Sequence, residues 1–477
     1  MPDITRFEAS WDSLRSYRCP EWFRNAKFGI WAHWGVGGVP MYGDWYGRKM
    51  YEEGSDVYYH HWKNYGHPSV HGYKDLIEEW KAEEFDPDGL LETYKQAGAR
   101  YFMALAVHHD NFDNWDSVFH SWNSVKKGPH KDIIGLWKAA ADRAGLPFGV
   151  SEHLGASQLW WLSNKGADKS GPYQGVPYDG CREEYQELYH PVFGDSDYHF
   201  CYSTDEKVAQ DWYRRISQLL EKYRPDMLYT DGPFPYGELG MKIVAQLYNQ
   251  NLAEGGTTGV YTQKDVRKEW AAGILDVERG GLNDISDAPW QTDTCLGDWF
   301  YDVKAKYKSA RQVIDMLIHA VSKNGNLLLS VPLRPEGKLD DECRLILAQI
   351  GGWLEKNGEA IYGTRPWKRF GEGDTLRFSN PLFEVPLDWT HEDFHFTAKG
   401  EYIYAFQMKL PPEGRPGIIT SFAEGAANPL GTIPVGRVTL LDGQKEIPFR
   451  QTARGLELAL PEGLQSDFPV VYVIETK

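Results

Sequence analysis

Six short apolar runs lack the polar alternation of half-exposed strands: Phe28–Trp31, Tyr101–Val107, Pro147–Ser151, Asp226–Thr230, Gly273–Val277 and Asn326–Val331. Runs of this length predict strands buried on both faces, as in a parallel sheet. Helical periodicity lies between them. Residues Ala209–Tyr223 put Trp212, Ile216, Leu219 and Leu220 on one stripe and stop before Pro225. Leu90–Ala97 and Tyr307–Ser322 follow the same pattern. Strand then helix, repeated at intervals of roughly 45 to 80 residues, predicts an α/β fold, a (β/α)8-type barrel with long loops. A doubly wound open sheet is the alternative, but no G-x-G-x-x-G follows the first strand.

Near Gly363–Pro366 the pattern changes. Short strand-like segments follow (TLRFSNP, DFHFTAKGEYIYAFQMKLP, GRVTLLDGQKEIPFR, LELALPEG, FPVVYVIE), with turns at Lys399-Gly400 and Asp442-Gly443. They predict a C-terminal antiparallel β-sandwich, so the expected units are a barrel over 1–365 and a sandwich over 366–477. Tyr402, Tyr404 and Phe406 alternate along one segment, a core pattern rather than a sugar-binding face. Asn164–Pro191 and Gly280–Asp302 are read as long polar loops, of the kind that is usually functional.

Composition narrows the function classes. The 477 residues carry 51 Lys+Arg against 68 Asp+Glu, a net charge of −17, which argues against a general binder of nucleic acid or anionic membranes. Hydrophobic residues at 42% and aromatic residues at 14% exclude global disorder. The 19 Trp and 28 Tyr suit stacking on sugar rings but serve equally as core. Five cysteines without a C-x-x-C spacing indicate neither a thiolate zinc site nor a disulfide scaffold. No apolar run reaches the roughly 18 residues of a membrane span, and the N-terminal segment has no apolar signal core. The expectation is a soluble chain, cytoplasmic, or periplasmic or secreted with its signal trimmed; oligomeric state is not legible.

Polar residues gather where a barrel would place its catalytic face, after strand ends: His33, then His108, His109 and Asp110, then Glu152 and His153, then Asp231, then Glu278. Asp231 in DMLYTDGPFP is either a nucleophile at the barrel mouth or a helix cap. Glu278 in GILDVERGG is either an acid or the partner of Arg279. Asp276 shares a strand face with Glu278 and is the reserve candidate. Two carboxylates on nearby rims are the apparatus of glycoside hydrolysis, one attacking or activating water, the other protonating the leaving oxygen. His108 and His109, adjacent on a strand, would point opposite ways and so are expected to donate to substrate hydroxyls rather than grip one metal ion. His33 lies in the apolar frame of GIWAHWG, whereas His60, His61, His71 and His130 are read as structural.

The segments PEWFRNAKFGIWAHWGVGGVPMYGDWYGRKMY, YFMALAVHHDNFDNWDS, DMLYTDG and NGNLLLSVPLRPEGKLDDECRLILAQIGGWLEKNGEAIYGTRPW resemble, in order, segments of the α-L-fucosidases of glycoside hydrolase family 29. The resemblance implies a retaining exo-glycosidase acting on oligosaccharides or glycoconjugates, a barrel with a C-terminal β-sandwich, and no metal or organic cofactor. Position by position it makes Asp231 the nucleophile and His33, His108 and His109 ligands of the sugar hydroxyls. Trp45 matches a family tryptophan, with Asp44 where the family has Glu, and Tyr229 matches an aromatic lining the pocket. In PWQTDTCLGDWFYD the family's acidic position is held by Gln291, an amide that cannot transfer a proton. Other members place the acid/base nearer the nucleophile, which points to Glu278, with Lys264 as a basic sugar ligand. Glu152 and Trp290 are added as substrate-binding residues. Ser151, Glu152 and His153 stand where many members have tyrosines, and Asp44 is shorter than Glu. A more polar pocket would admit L-galactose, which carries a hydroxyl where fucose has a methyl. The expected function is therefore release of terminal α-L-fucose, the alternatives being an α-L-galactosidase and a non-catalytic carbohydrate-binding protein.

Overall fold

The computed structural model describes residues 6–191, 202–264, 271–378, 386–426 and 428–477. Eight parallel strands close a barrel in chain order: β1 Phe28–Ala32, β2 Tyr101–Val107, β3 Phe148–Glu152, β4 Met227–Thr230, β5 Val260–Gln263, β6 Ile274–Glu278, β7 Trp290–Cys295 and β8 Gly325–Ser330. The register of β1 against β8, Ile30 opposite Leu329, completes the ring. The six predicted runs correspond to β1–β4, β6 and β8. Two strands escape the hydrophobic criterion. β5 is only four residues long, and β7 (WQTDTC) carries buried Gln291 and Asp293. The segment Gly280–Asp302, expected to be a loop, therefore contains β7, and Glu278 ends the sixth strand rather than the fifth.

The helix Glu206–Tyr223 buries Trp212, Ile216, Leu219 and Leu220 as its periodicity requires, and it ends at Arg224 in the left-handed region (φ 45°) just before Pro225. The helix Ala310–Ser322 opens with a capping box between Ser309 and Gln312.

Beyond the barrel, β9 Arg365–Glu372, β10 Phe394–Lys399, β11 Tyr402–Gln407, β13 Val435–Leu440, β14 Lys445–Glu446 and β17 Val470–Thr476 form one sheet in the order β14-β13-β17-β11-β10-β9. A second sheet, β12-β16-β15, is built from Gly417–Ile419, Gly455–Leu458 and Phe449–Thr452. TLRFSNP does not begin as a strand: Asp374–Phe378 is a helical turn, and 379–385 lie outside the described residues. β11 shows why its aromatics alternate. Tyr404 and Phe406 pack into the barrel-side core, whereas Ile403 and Ala405 pack into the sandwich's own core. The junction is reinforced where the Trp353 indole N–H donates to Pro469 O at 3.0 Å and Arg311 Nη1 donates to Asp467 O at 2.7 Å. The C-terminal sheet thus braces the barrel helices Ala310–Ser322 and Asp341–Asn357.

Candidate active site

Carboxyl ends of barrel strands converge on a pocket of about 160 Å³, the end at which such barrels carry their chemistry. Two backbone bonds continue the ladder past the strands: His153 N–H donates to Val107 O at 2.9 Å, and Asp231 N–H donates to Glu152 O at 3.0 Å. They fix the first residue beyond β3 and beyond β4, so these side chains are aimed by the rigid barrel rather than by free loops.

Asp231 Oδ2 lies 3.4 Å from His109 Nε2 and 3.4 Å from His153 Nδ1. His109 Nδ1 is 2.8 Å from His153 O, a carbonyl that only accepts, so this nitrogen is a donor. Facing a carboxylate with its other nitrogen, the ring is biased toward its doubly protonated form. Burial opposes that charge, but the bond to Asp231 and the charges of Asp231 and Asp44 outweigh it and raise the His109 pKa. Burial likewise pushes Asp231 up, yet the bonds and charges of His109 and His153 hold its carboxyl well below the usual range. Burial, ahead of every other influence, lowers the pKa of His153, and it lowers His33 and His108 well below the usual value with help from neighbouring histidines. Asp231 caps no helix, because the next one starts at Glu238 behind Gly237.

Glu278 ends β6 with its side chain 42% exposed and Oε2 3.5 Å from Lys264 Nζ. Arg279 is not its partner: that guanidinium bonds Cys295 Sγ at 2.9 Å and lies over the Trp299 ring. Burial, then the charges of Asp293 and Asp231, raise the Glu278 pKa against the opposing pull of Lys264. Asp276 is sealed beneath the pocket, with Oδ1 2.7 Å from Lys264 Nζ and Oδ2 accepting from Gln291 Nε2 at 2.7 Å. Of the two acids on β6, only Glu278 borders the pocket.

The walls are aromatic and imidazole. Trp31 contacts Tyr229 and Trp299 with ring centroids 5.0 and 5.4 Å apart. Tyr229 directs its hydroxyl to Asp293 Oδ2 at 3.0 Å. Asp44 is buried beside Asp298, and these two influences raise its pKa to about 7. His108 Nε2 lies 3.8 Å from Asp44 Oδ1. Trp45, 40% exposed at the rim, adopts φ +62°, a conformation non-glycine residues rarely take outside constrained sites.

Most sequence-derived candidates meet here: His33, Asp44, Trp45, His108, His109, Tyr229, Asp231 and Glu278 all line the pocket. His108 and His109 do so together because β2 ends at Val107, so strand alternation no longer applies to them. Three of the expected substrate-binding residues need correction. Trp290 is the first residue of β7, at the opposite end of the barrel, and its indole N–H donates to Lys323 O at 2.9 Å. Glu152 turns away from the pocket; its Oε2 accepts from the Trp212 indole and from Leu154 N–H, each at 3.1 Å. Lys264 points its ammonium at Asp276, Glu278 and Asp293 and does not border the pocket. Three residues that line the pocket, Trp31, His153 and Trp299, are not among the expected catalytic or substrate-binding residues, although His153 is among the strand-end polar residues. His153 adjoins one of them, but a strand-end rule cannot tell which of two neighbours faces inward. His33, His108 and His153 are close enough to hold a metal ion, as are His109, His153 and Asp231. The second set would engage the Asp231 oxygen that the two imidazoles already face at 3.4 Å.

The model of the family described as alpha-L-fucosidase matches residues 2–359. The chain belongs to the α-L-fucosidase family of glycoside hydrolases. It is 27% identical over 491 residues to the tissue alpha-L-fucosidase of Mus musculus, covering 98% of this chain and 93% of that protein. It is 27% identical over 435 residues to the plasma alpha-L-fucosidase of Homo sapiens, covering 86% of this chain and 80% of that protein. The solved structure of Thermotoga maritima alpha-fucosidase in complex with fucose superposes with a TM-score of 0.75 at 25% identity, covering 98% of this chain and all of that one. Among the described residues no helix is long and apolar enough to cross a membrane.

Proposed function

We propose that this α-L-fucosidase family member is a retaining exo-glycosidase releasing terminal α-L-fucose by double displacement, with Asp231 as nucleophile and Glu278 as acid/base. The observation that carries the reading is that these carboxyls, one just past β4 and one ending β6, border one small pocket in opposite electrostatic settings. Asp231 is stabilised as an anion by His109 and His153, whereas Glu278 is biased toward its protonated form. That divergence divides nucleophile from acid. The Asp231 carboxylate attacks the anomeric carbon as Glu278 gives its proton to the departing oxygen. Glu278, now a carboxylate, takes a proton from the water that opens the glycosyl ester, and Asp231 is regenerated. At about 160 Å³ the pocket falls well below the 300–1,000 Å³ of drug-sized sites, which suits a single terminal ring.

The test is covalent. After incubation with a 2-deoxy-2-fluoro-α-L-fucosyl donor, peptide mass mapping finds the glycosyl adduct on Asp231, and Asp231→Ala loses turnover of an aryl α-L-fucoside. Wild-type-like turnover by Asp231→Ala overturns the assignment, and fucose binding by the wild-type protein without any turnover would favour a binding protein.

A second reading, activity on α-L-galactosides, is favoured by polar His153 and Asp44 in the pocket wall. Glu152, the other polar candidate, lends it nothing, since its carboxyl faces Trp212. The ratio of kcat/KM on the two aryl glycosides decides between the sugars. Apolar walls alone would separate them by only about a hundredfold.

A further inference from the structure

Beneath the pocket floor lies a buried polar layer that the double displacement does not use. Lys264, directly after β5, extends its ammonium between β6 and β7. Nζ lies 2.7 Å from Asp276 Oδ1, 3.5 Å from Glu278 Oε2 and 3.5 Å from Asp293 Oδ1. An ammonium has three N–H donors, and all three have a protein carboxyl within reach. The layer is closed from below: Asp276 Oδ2 accepts from Gln291 Nε2, Gln291 Oε1 accepts from the Tyr101 hydroxyl at 2.9 Å, and Asp293 Oδ2 accepts from the Tyr229 hydroxyl. Burial and then the neighbouring Asp276 charge raise the Asp293 pKa, favouring its neutral form. The tightest contact of the ammonium is thus its ion pair with Asp276, and one of its two looser contacts reaches up to Glu278 at the rim.

We propose that Lys264 is the positioning residue of the acid/base: anchored on Asp276, its ammonium orients the Glu278 carboxyl at the pocket rim and stabilises the carboxylate form that activates water in the second half-reaction. This rests on the reading of Glu278 as acid/base. The charged and titratable groups facing Glu278 are Lys264 beyond β5, Asp293 on β7, Asp231 beyond β4 and Tyr229 on β4. Those facing Lys264 are the same carboxyls, Asp276, and the Tyr229 ring 4.8 Å from Nζ. His153 also feels the Lys264 charge, through space. When Glu278 has given up its proton, its carboxylate lies near Asp276 and Asp293, and Lys264 is a cation within reach of all three. Lys264 neither gives nor takes a proton in this scheme.

The test is a set of pH profiles of kcat/KM on an aryl α-L-fucoside, with a thermal melt to establish folding. In Lys264→Met the basic limb moves up by about one pH unit, because the Glu278 carboxylate has lost its countercharge. In the same variant kcat falls more than KM changes, and Lys264→Arg restores both. In Asp276→Asn the basic limb moves down, since an anion has gone while the ammonium remains. A merely structural role predicts no such opposed movements. An unmoved basic limb in Lys264→Met overturns the inference. If that variant fails to fold, Asp276→Asn decides by itself, a downward movement supporting the proposal and an unmoved limb overturning it. Glu278→Gln separates the two readings. Loss of the basic limb in that variant upholds Glu278 as the acid, whatever Lys264 does, and persistence of the limb overturns both assignments.

Discussion

His109 Nε2 lies 3.4 Å from Asp231 Oδ2 while the other nitrogen of the same ring is held 2.8 Å from a backbone carbonyl. The ring is therefore fixed in orientation and biased toward its charged form by two acceptors on opposite sides. Together with His153 it favours the ionised form of Asp231 in a pocket where burial pulls the other way. A buried carboxylate of this kind is both aimed and kept in its attacking form before substrate arrives.

Removing that imidazole should show in the acid limb. In His109→Ala the Asp231 pKa rises, because one of the two imidazoles that hold it down is gone while His153 and the burial cost remain. The acid limb of kcat/KM moves to higher pH, and kcat on an aryl α-L-fucoside falls by roughly 10²-fold, as expected when one preorganised donor to a reacting group's charge is lost. A pH–rate profile measures both.

Loss of the acid should be chemically reversible. In Glu278→Ala, turnover of substrates with poor leaving groups falls by about 10²–10⁴-fold. Azide enters the space of the lost carboxyl, restores turnover of an activated aryl fucoside, and yields a fucosyl azide detectable by mass spectrometry. Asp276→Ala gives no such product, because Asp276 is sealed between Lys264 and Gln291.

Glu152 gives a stability prediction distinct from catalysis. Burial raises its pKa from 4.5 to about 7. Between these values the folded chain binds a proton that the unfolded chain has released, so this group's contribution makes stability fall as pH rises through the window and level off above it. Glu152→Gln removes that loss. At pH 8 the variant gains up to about 3 kcal/mol relative to wild type, since each pH unit spanned by the window corresponds to about 1.4 kcal/mol. At pH 4 the two differ little. Denaturant unfolding at the two pH values measures the difference.

The sandwich is expected to matter for stability rather than for recognition. Phe406 is fully buried against Trp353 at the junction with the barrel. Phe406→Ala should cost about 3–5 kcal/mol, seen as a lowered Tm, while KM for a small aryl fucoside stays near the wild-type value.

How far the sequence can be read depends on which physical signal each element carries. β2, an unbroken apolar run from Tyr101 to Val107, announces a strand buried on both faces. β7 is buried just as completely but carries Gln291 and Asp293 inward, where Tyr101, Asp276, Lys264 and Tyr229 satisfy them. A hydrophobicity rule cannot see a strand whose polar groups are paired by residues on other strands. The consequence reaches Trp290. Without β7 it has no assigned end of the barrel, and the sequence groups it with the substrate although it lies at the foot. Glu152 and His153 are both legible as strand-end polar residues, but which one faces the sugar is a matter of one residue of register at the end of β3.

The order of residue types along the chain was enough for the alternation of strand and helix, the change of pattern near Gly363, and a nucleophile and an acid at strand ends, because periodicity and strand-end chemistry are local properties. What only folding decided were relations between distant positions: that His109 and His153 share one oxygen of Asp231, that Arg279 turns to Cys295 and leaves Glu278 to Lys264, and that Asp276 is buried while Glu278 meets solvent. Such relations set charge and orientation through distances of a few ångströms, and closing the barrel is what brings residues of different strands within that range.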